Sequence, residues 1–383
     1  MKRRSVALLI ETSNGYSRGL LDGVIAYTKE HGNWSVHLPE QERGMAPPAW
    51  LKSWDGDGII ARIETDQVGR ALKRLGLPIV DLSAARHFSG IPWADTEDQA
   101  IARLAVEHFV ERGFGELAYC GDEGFVWSKR RSEHFRRLAE ERNCRVHEHN
   151  SHARYATDFN PARETKKICN WIAKLPRPVG IMGCYDYQAQ QILDACRQLN
   201  VSVPEEVAVL GVDNDRLICE LSEPPLSSVI PDTRQTGYDA AKLLDQMMSG
   251  EKVETNQPLI TQPLGVQLRA STDTLAIEDD EVARALVYIR QNATGNIRVA
   301  DVLCQSSLSR RSLEHRFKKL VGHTPSEEIQ RVRINRIKEL LTETELPISE
   351  IAARTGFEYS EYMAASFKRE TGLRPTDFRS QRR

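Results

Sequence analysis

Short apolar runs recur along the first 270 residues of the chain, at 6–10, 58–61, 79–82, 117–120, 179–182 and 207–212, and several are Val/Ile-rich. Runs of about four to six residues without polar alternation suit strands buried on both faces. Amphipathic stretches lie between them. Leu20, Leu21, Val24, Ile25 and Thr28 recur at helical spacing, as do Ile101, Leu104, Ala105, His108 and Phe109 before Gly113 stops the pattern. Strand–helix alternation of this kind predicts a parallel α/β sheet. Near residue 282 the pattern changes and stays helical to the end. A chain of 383 residues exceeds one ordinary core, so two or three domains are expected.

In parallel α/β sheets, ligands gather at the carboxyl ends of the strands. Here those ends are polar: 6–10 runs into "ETSNGYSR", 179–182 into "GCYDYQ" and 207–212 into "DNDR". Asp186 and Asp213 are therefore expected to face one cleft. Their carboxylates can accept hydrogen bonds from adjacent hydroxyls, and Arg18 or Arg131 can donate a fork of them. Tyr16, Trp93, Trp127 and Tyr185 offer apolar faces for a sugar ring. The competing reading is that these acids cap helices or turns, and Asp186 before "YQAQQIL" suits an N-cap. The stretch "HEHNSH", with His147, His149 and His152, lacks flanking cysteines or a helical HExxH and reads as a solvated loop. The seven cysteines are scattered with no CxxC, as expected in a reducing compartment. No cofactor and no metal are expected. No apolar run reaches the roughly 18–20 residues that span a bilayer, and the start lacks a secretory pattern. A cytoplasmic protein without a membrane partner is expected.

Net charge is −2, which hides an asymmetry. Residues 282–383 hold 19 Lys/Arg against 12 Asp/Glu, and the remainder holds 33 against 42. A basic segment on an acidic body points to a polyanion partner for the tail.

That tail carries one device twice. "HRFKKLVGHTP" begins at His315, and "ASFKRETGLRP" begins at Ala365. Phe317, Lys318, Lys319, Gly322 and Pro325 align with Phe367, Lys368, Arg369, Gly372 and Pro375. Each copy reads as two short helices around a tight turn, at about 299–321 and 348–371. Ser309 and Ser360 are expected caps of the second helix in each. Leu313, Phe317, Leu320 and Val321 are expected to face inward in the first copy, and Met363 and Phe367 in the second. A short helix, a turn and a second helix rich in exposed polar donors describe a helix-turn-helix. About 19 residues of helix lie between the copies, roughly 28 Å long. Successive major-groove faces of B-DNA are about 34 Å apart. A rigid helix of that length can hold two recognition helices over adjacent grooves, and linkage raises effective concentration.

Residues 5–272, through "VALLIETSNGYSRGLLDGVIAY", "DYQAQQILDACRQLNVSVPEEVAVLGVDN" and "PPLSSVIPDTRQTGYDAAKLL", resemble the sensor domain of LacI-type regulators, related to periplasmic sugar-binding proteins. The resemblance implies two α/β lobes hinged around a small ligand. It implies contacts at Tyr16, Arg18, Asp95, Arg131, Asp186 and Asp213. Where many relatives carry a ligand-contacting Gln, this chain has Pro231, followed by Asp232. LacI-type regulators also begin with a DNA-binding helix-turn-helix, whereas this sequence starts at the first strand. Residues from about 280 to 380 resemble the AraC-type DNA-binding domain. That implies base readers at Arg310, Arg311, Ser312 and His315, and in the second copy at Glu358, Tyr359, Ser360 and Glu361. Arg can fork onto guanine and Glu can accept from cytosine N4. Phosphate positioning falls to Lys318, Lys319, Arg354, Lys368 and Arg369.

The expected fold is thus an α/β two-lobed periplasmic-binding-protein-like sensor at 1–272, a linker at 273–281, and an all-α domain with two helix-turn-helix motifs at 282–383. The combined order resembles the bacterial xylose-regulator family. It implies D-xylose as effector, double-stranded operator DNA as partner, a homodimer through the sensor domains, and activation through RNA polymerase. A repressor and a different sugar stay open as alternatives. An enzyme using Asp186 and Asp213 as acid and base is the rival class, as is a plain solute-binding protein. Neither rival explains the doubled helix-turn-helix.

Overall fold

The computed structural model describes residues 3–381, apart from 33, 42, 44, 86–87, 252, 254–257, 275, 278 and 345 and the side chains at 280, 343 and 381. The chain forms two compact units, Met1–Thr274 and Leu275–Arg383. Linker positions 275 and 278 lie outside the described residues.

The described residues of the first unit form two larger sheets and a two-stranded one. One runs in the order Trp34–His37, Arg4–Leu9, Gly58–Ala61, Ile79–Asp81, all parallel. The other runs Gly265–Gln267, Ser227–Ile230, Val207–Val212, Val179–Gly183, Glu116–Asp122, Arg145–Ser151, with only Gly265–Gln267 antiparallel. A parallel pair, Ala94–Thr96 with Leu259–Thr261, lies where the chain passes between the two lobes. All six apolar runs are strands. Val207–Val212 and Val179–Gly183 are buried at every residue, as their unbroken hydrophobicity demands.

Helices Gly15–His31 and Thr233–Met248 close one face of the first sheet. Leu20, Val24 and Tyr27 pack with Ala240, Ala241 and Leu244. The two helices approach so closely that a Cβ on Gly237 would lie 2.0 Å from the Leu20 carbonyl oxygen, and one on Gly23 would lie 2.1 Å from that of Arg234. Glycine is needed there for close backbone approach.

"HEHNSH" is not a solvated loop. Most of it belongs to the edge strand Arg145–Ser151, paired with Glu116–Asp122 through all seven residues. His147 meets Glu116 at 2.9 Å, and His149 stacks on Trp171 and faces the buried Glu164 at 3.6 Å. The ladder overrides the polar sequence because the histidines have partners: Glu116 on the neighbouring strand, and Glu164 and Trp171 on helix Pro161–Ile172.

The second unit is helical: Asp280–Asn292, Val299–Leu303, Arg310–Val321, Pro325–Glu343, Ile348–Arg354, Ser360–Thr371 and Pro375–Gln381. It has two small cores. Leu313 and Phe317 pack with Val282, Leu286 and Ile289 in one; Met363 and Phe367 pack with Ile337, Leu341 and Ile351 in the other. The repeated Gly-x-x-Pro has a backbone cause. Gly322 and Gly372 terminate their helices in the left-handed region, at φ 90° and 77°, and their N–H groups donate to Lys318 and Lys368 carbonyls. Pro325 then opens the next helix, where its missing N–H costs nothing. Ser309 caps as expected, accepting from the Ser312 N–H at 3.3 Å. Ser360 does not cap: it is the first helical residue, and Tyr359 occupies the cap position without a side-chain bond. Leu320 is 39% exposed rather than inward, because Leu313 and Phe317 already fill the one-turn seam. Helix Pro325–Glu343 has 19 residues and is about 28 Å long at 1.5 Å per residue.

Candidate functional site

Between the two lobes of the first unit lies a cavity of about 190 Å³. Its wall is built at strand ends, as parallel topology dictates. Tyr16, Asp95, Arg131, Asp186 and Asp213 all line it. Arg18 does not. It reaches past the rim to Asp215, at 2.9 Å, and joins the two lobes there. Trp127 and Tyr185 line the cavity; Trp93 does not, and bridges to Asp81 at the edge of the first sheet. Asp232 is also absent from the lining: it caps helix Thr233–Met248 by accepting from the Gln235 N–H at 3.0 Å.

Asp186 is a hub and not the cap of its own helix. One oxygen accepts from the Ser228 hydroxyl at 2.6 Å; the other accepts from the Asp215 N–H at 2.7 Å and the Cys219 thiol at 3.5 Å. Burial and the neighbouring Asp213 push its pKa well above the carboxylate range. Its bonds pin the turn 213–215. That turn is strained: Asp213 has φ 109° and Asn214 φ 49°. Strained backbone of this kind persists where the surroundings over-determine it. The result is that the Asp213 carboxylate faces the cavity and accepts no hydrogen bond from any described residue. Burial raises its pKa to about 6, against the pull of Arg131, Arg43 and Arg62.

The cavity arginines have partners behind them. Arg131 donates to Asp98 at 3.0 Å and 3.2 Å and to the Cys184 carbonyl at 2.5 Å. Arg62 holds Glu11, the Ser17 hydroxyl at 2.7 Å and Glu64 at 2.9 Å. Arg43 pairs with Glu64 at 3.0 Å, and its guanidinium lies 4.1 Å from the Phe125 ring centroid across the lobes. Tyr16 donates to Asp95 at 3.1 Å. Arg43, Arg62 and Arg131 are thus paired with carboxylates outside the cavity and Arg154 lies over the Tyr187 ring, while Trp127, Tyr155, Tyr185 and Tyr187 supply apolar rings. The arrangement suits an uncharged ligand with several hydroxyls and an apolar face.

Arg43, Arg62, Arg154, Tyr155 and Tyr187 were not legible as cavity residues. Two had the strand-end signal: Tyr187 beside Asp186, and Arg62 directly after the run 58–61. The others come from segments with no motif of their own.

In the second unit, Arg310, Arg311, His315 and Lys318 are exposed along helix Arg310–Val321, and Ser312 is half-buried. Arg310 is paired with Glu314 at 2.9 Å. Glu358, Tyr359, Glu361, Lys368 and Arg369 are exposed at and along helix Ser360–Thr371, and Ser360 is half-buried. Phe317 and Phe367 are buried in the core of their own copies, which leaves these exposed side chains accessible around them.

Comparison with known proteins covers the whole chain. Residues 5–98 match the XylR N-terminal domain, 106–272 the periplasmic binding protein-like domain, and 304–381 a helix-turn-helix domain. The xylose operon regulatory protein of Escherichia coli (strain K12) is 31% identical over 386 residues, covering 99% of this chain and 97% of that protein. Its counterpart in Haemophilus influenzae is 30% identical over 382 residues, covering 98% and 97%. A solved structure of a xylose-binding transcription activator matches with TM-score 0.84 and 30% identity, over 99% of this chain and 98% of that one.

Proposed function

Because the chain belongs to the xylose operon regulatory protein family, we propose that it senses D-xylose in its interlobe cavity and regulates transcription by binding operator DNA. The observation that carries this is the end-to-end match: both units of the chain align, in one order, with relatives named as a xylose operon regulatory protein and a xylose-binding transcription activator. The division at 1–272 and 282–383 separates sensing from reading. The protein acts in the cytoplasm as a homodimer through its sensor units and activates through RNA polymerase.

In this reading Asp213 accepts two sugar hydroxyls, Arg131 and Asp95 fix others, and Trp127 takes the apolar face of the ring. Closure of the lobes is supported by contacts across them: Arg18 to Asp215, Arg43 over Phe125, and Arg130 to the Ala84 carbonyl. Sugar shifts the equilibrium only as far as it prefers the closed form. Arg310, Arg311, Ser312 and His315, with Glu358, Tyr359, Ser360 and Glu361, read bases; Lys318, Lys368 and Arg369 hold phosphates.

Calorimetric titration with D-xylose, L-arabinose and D-glucose tests the sensor half. D-xylose alone should bind tightly. Binding of another sugar in its place would move the effector assignment, and silence from all three would remove the cavity from the account.

A further inference from the structure

The two recognition elements differ in charge: the first copy starts basic and the second acidic, with Arg311 and Glu361 at equivalent positions. Arg310 and Arg311 of the first copy align with Ser360 and Glu361 of the second, and Leu308 and Ser312 align with Glu358 and Tyr362. Glu358 and Glu361 are exposed and have no hydrogen bond or ion pair with any described residue. Every other described Asp or Glu side chain of that unit has one. Glu281 bonds Ser306 and Ser307, Glu314 pairs with Arg310, Glu350 with Arg354 and Glu370 with Arg369. Each carboxylate is followed directly by an exposed tyrosine. Tyr359 is 53% and Tyr362 70% exposed, with ring centroids 5.9 Å apart in an edge-to-face pair. Glu361 at a helix start suits the macrodipole, but that does not account for Glu358 outside the helix or for two solvent-facing rings.

The first turn of a recognition helix is the part that meets base edges. Carboxylates there are repelled by phosphate and by the O6 and N7 acceptors of guanine. They are favoured only by amino donors, cytosine N4 first and adenine N6 second. Aromatic carbon fits the thymine methyl group. Lys368 and Arg369, nearer the helix end, supply the charge that holds the backbone.

Resting on the reading of this unit as a DNA reader, we infer that the two copies divide the work. The arginine-bearing first copy supplies affinity. The second copy, through Glu358, Glu361, Tyr359 and Tyr362, supplies discrimination: it selects a half-site with cytosine amino groups and thymine methyls on the strand it reads, and rejects guanine there. Tyr362 is thereby a specificity residue.

The test uses the full-length chain, a fluorescent duplex pool with a randomised centre, and selection from that pool. Wild type is compared with the double variant Glu358→Gln/Glu361→Gln and with Tyr362→Ala, all checked for folding by circular dichroism. The double variant should bind the unselected pool about fivefold more tightly, since two repelled charges are gone. It should also lose on the order of tenfold in preference per carboxylate at one half of the selected site. Tyr362→Ala should relax a thymine position in that same half. If wild type selects a motif and the variants select it unchanged with the same ratio, the division of work is wrong, as it would be if this face docked a protein instead. If wild type binds no duplex at any salt concentration, the DNA-reading function itself falls, and the inference with it.

Discussion

Replacing Asp213 with Asn should move ligand-free stability and ligand response in opposite directions. Burial raises the Asp213 pKa from 3.8 to about 6. At neutral pH the folded protein therefore carries a carboxylate it disfavours. The full shift corresponds to about 3 kcal/mol against the ionised form; since Asp213 lines a cavity, the usable part is taken as about 1–2 kcal/mol. A group whose folded pKa lies above its unfolded value binds more protons when folded, so its contribution falls as pH rises from about 4 to about 6. Asp213→Asn removes this penalty, and the ligand-free sensor should melt a few degrees higher at pH 7.5. The advantage should shrink as pH falls through that window and vanish near pH 3.8. D-xylose at 100 times its Kd should stabilise the wild type by about 2.7 kcal/mol and the variant hardly at all. Two charge-assisted hydrogen bonds of about 1.5–3 kcal/mol each are weakened. Differential scanning fluorimetry across pH 4–8, with and without sugar, reads both effects. A variant that melts lower without sugar, or that still responds fully to xylose, would refute the reasoning.

Three further outcomes follow from the same geometry. Arg18→Ala removes a bridge across the lobes at 2.9 Å whose arginine side chain is 41% exposed; it should raise the xylose Kd about fivefold at most, measured by titration calorimetry, because such pairs contribute up to about 1 kcal/mol. Glu328 is fully buried among Arg290, His323 and Arg331. Burial opposes its charge, but hydrogen bonds from Arg331 and the nearby Arg290 hold its pKa down at about 2, so it stabilises the unit above pH 4.5 and less as pH falls toward 2. Glu328→Gln should cost about 3–5 kcal/mol in chemical unfolding at pH 7. Lys318→Ala and Lys368→Ala should each reduce the salt dependence of duplex binding by about one unit of slope, with no change in preferred sequence.

The six strands legible in the sequence are those with a continuous apolar run; Ala94–Thr96 and Ser227–Ile230 are buried too, but their Asp, Thr and Ser residues break the run. Trp34–His37 and Arg145–Ser151 are also among those the sequence did not mark. Both are edge strands with mostly exposed or half-exposed residues, so no apolar run marks them. Asp186 and Asp213 were legible because topology alone brings strand ends together. Their distinct roles were not, since Asp186 is bonded by Ser228, Asp215 and Cys219, and only the fold reveals that it leaves Asp213 free. Arg62 follows the strand Gly58–Ala61 directly and so carried the same strand-end signal, while the partners that fix it, Glu11 and Glu64, are set by the fold. In the second unit the repeat was fully visible because Gly322–Pro325 and Gly372–Pro375 are local backbone devices. Exposure of Leu320 was not visible, because helical spacing gives the width of an apolar face but not how much of it a short partner helix covers.

The central claim is that sugar and DNA are linked through one chain, and linkage is reciprocal. The direct measurement is titration of the full-length protein with D-xylose, alone and saturated with a duplex selected from a randomised pool, beside duplex binding with and without D-xylose. The account predicts that xylose changes duplex affinity and that duplex changes xylose affinity by the same factor. Equal xylose affinity in the two titrations, or no xylose binding in either, would contradict it.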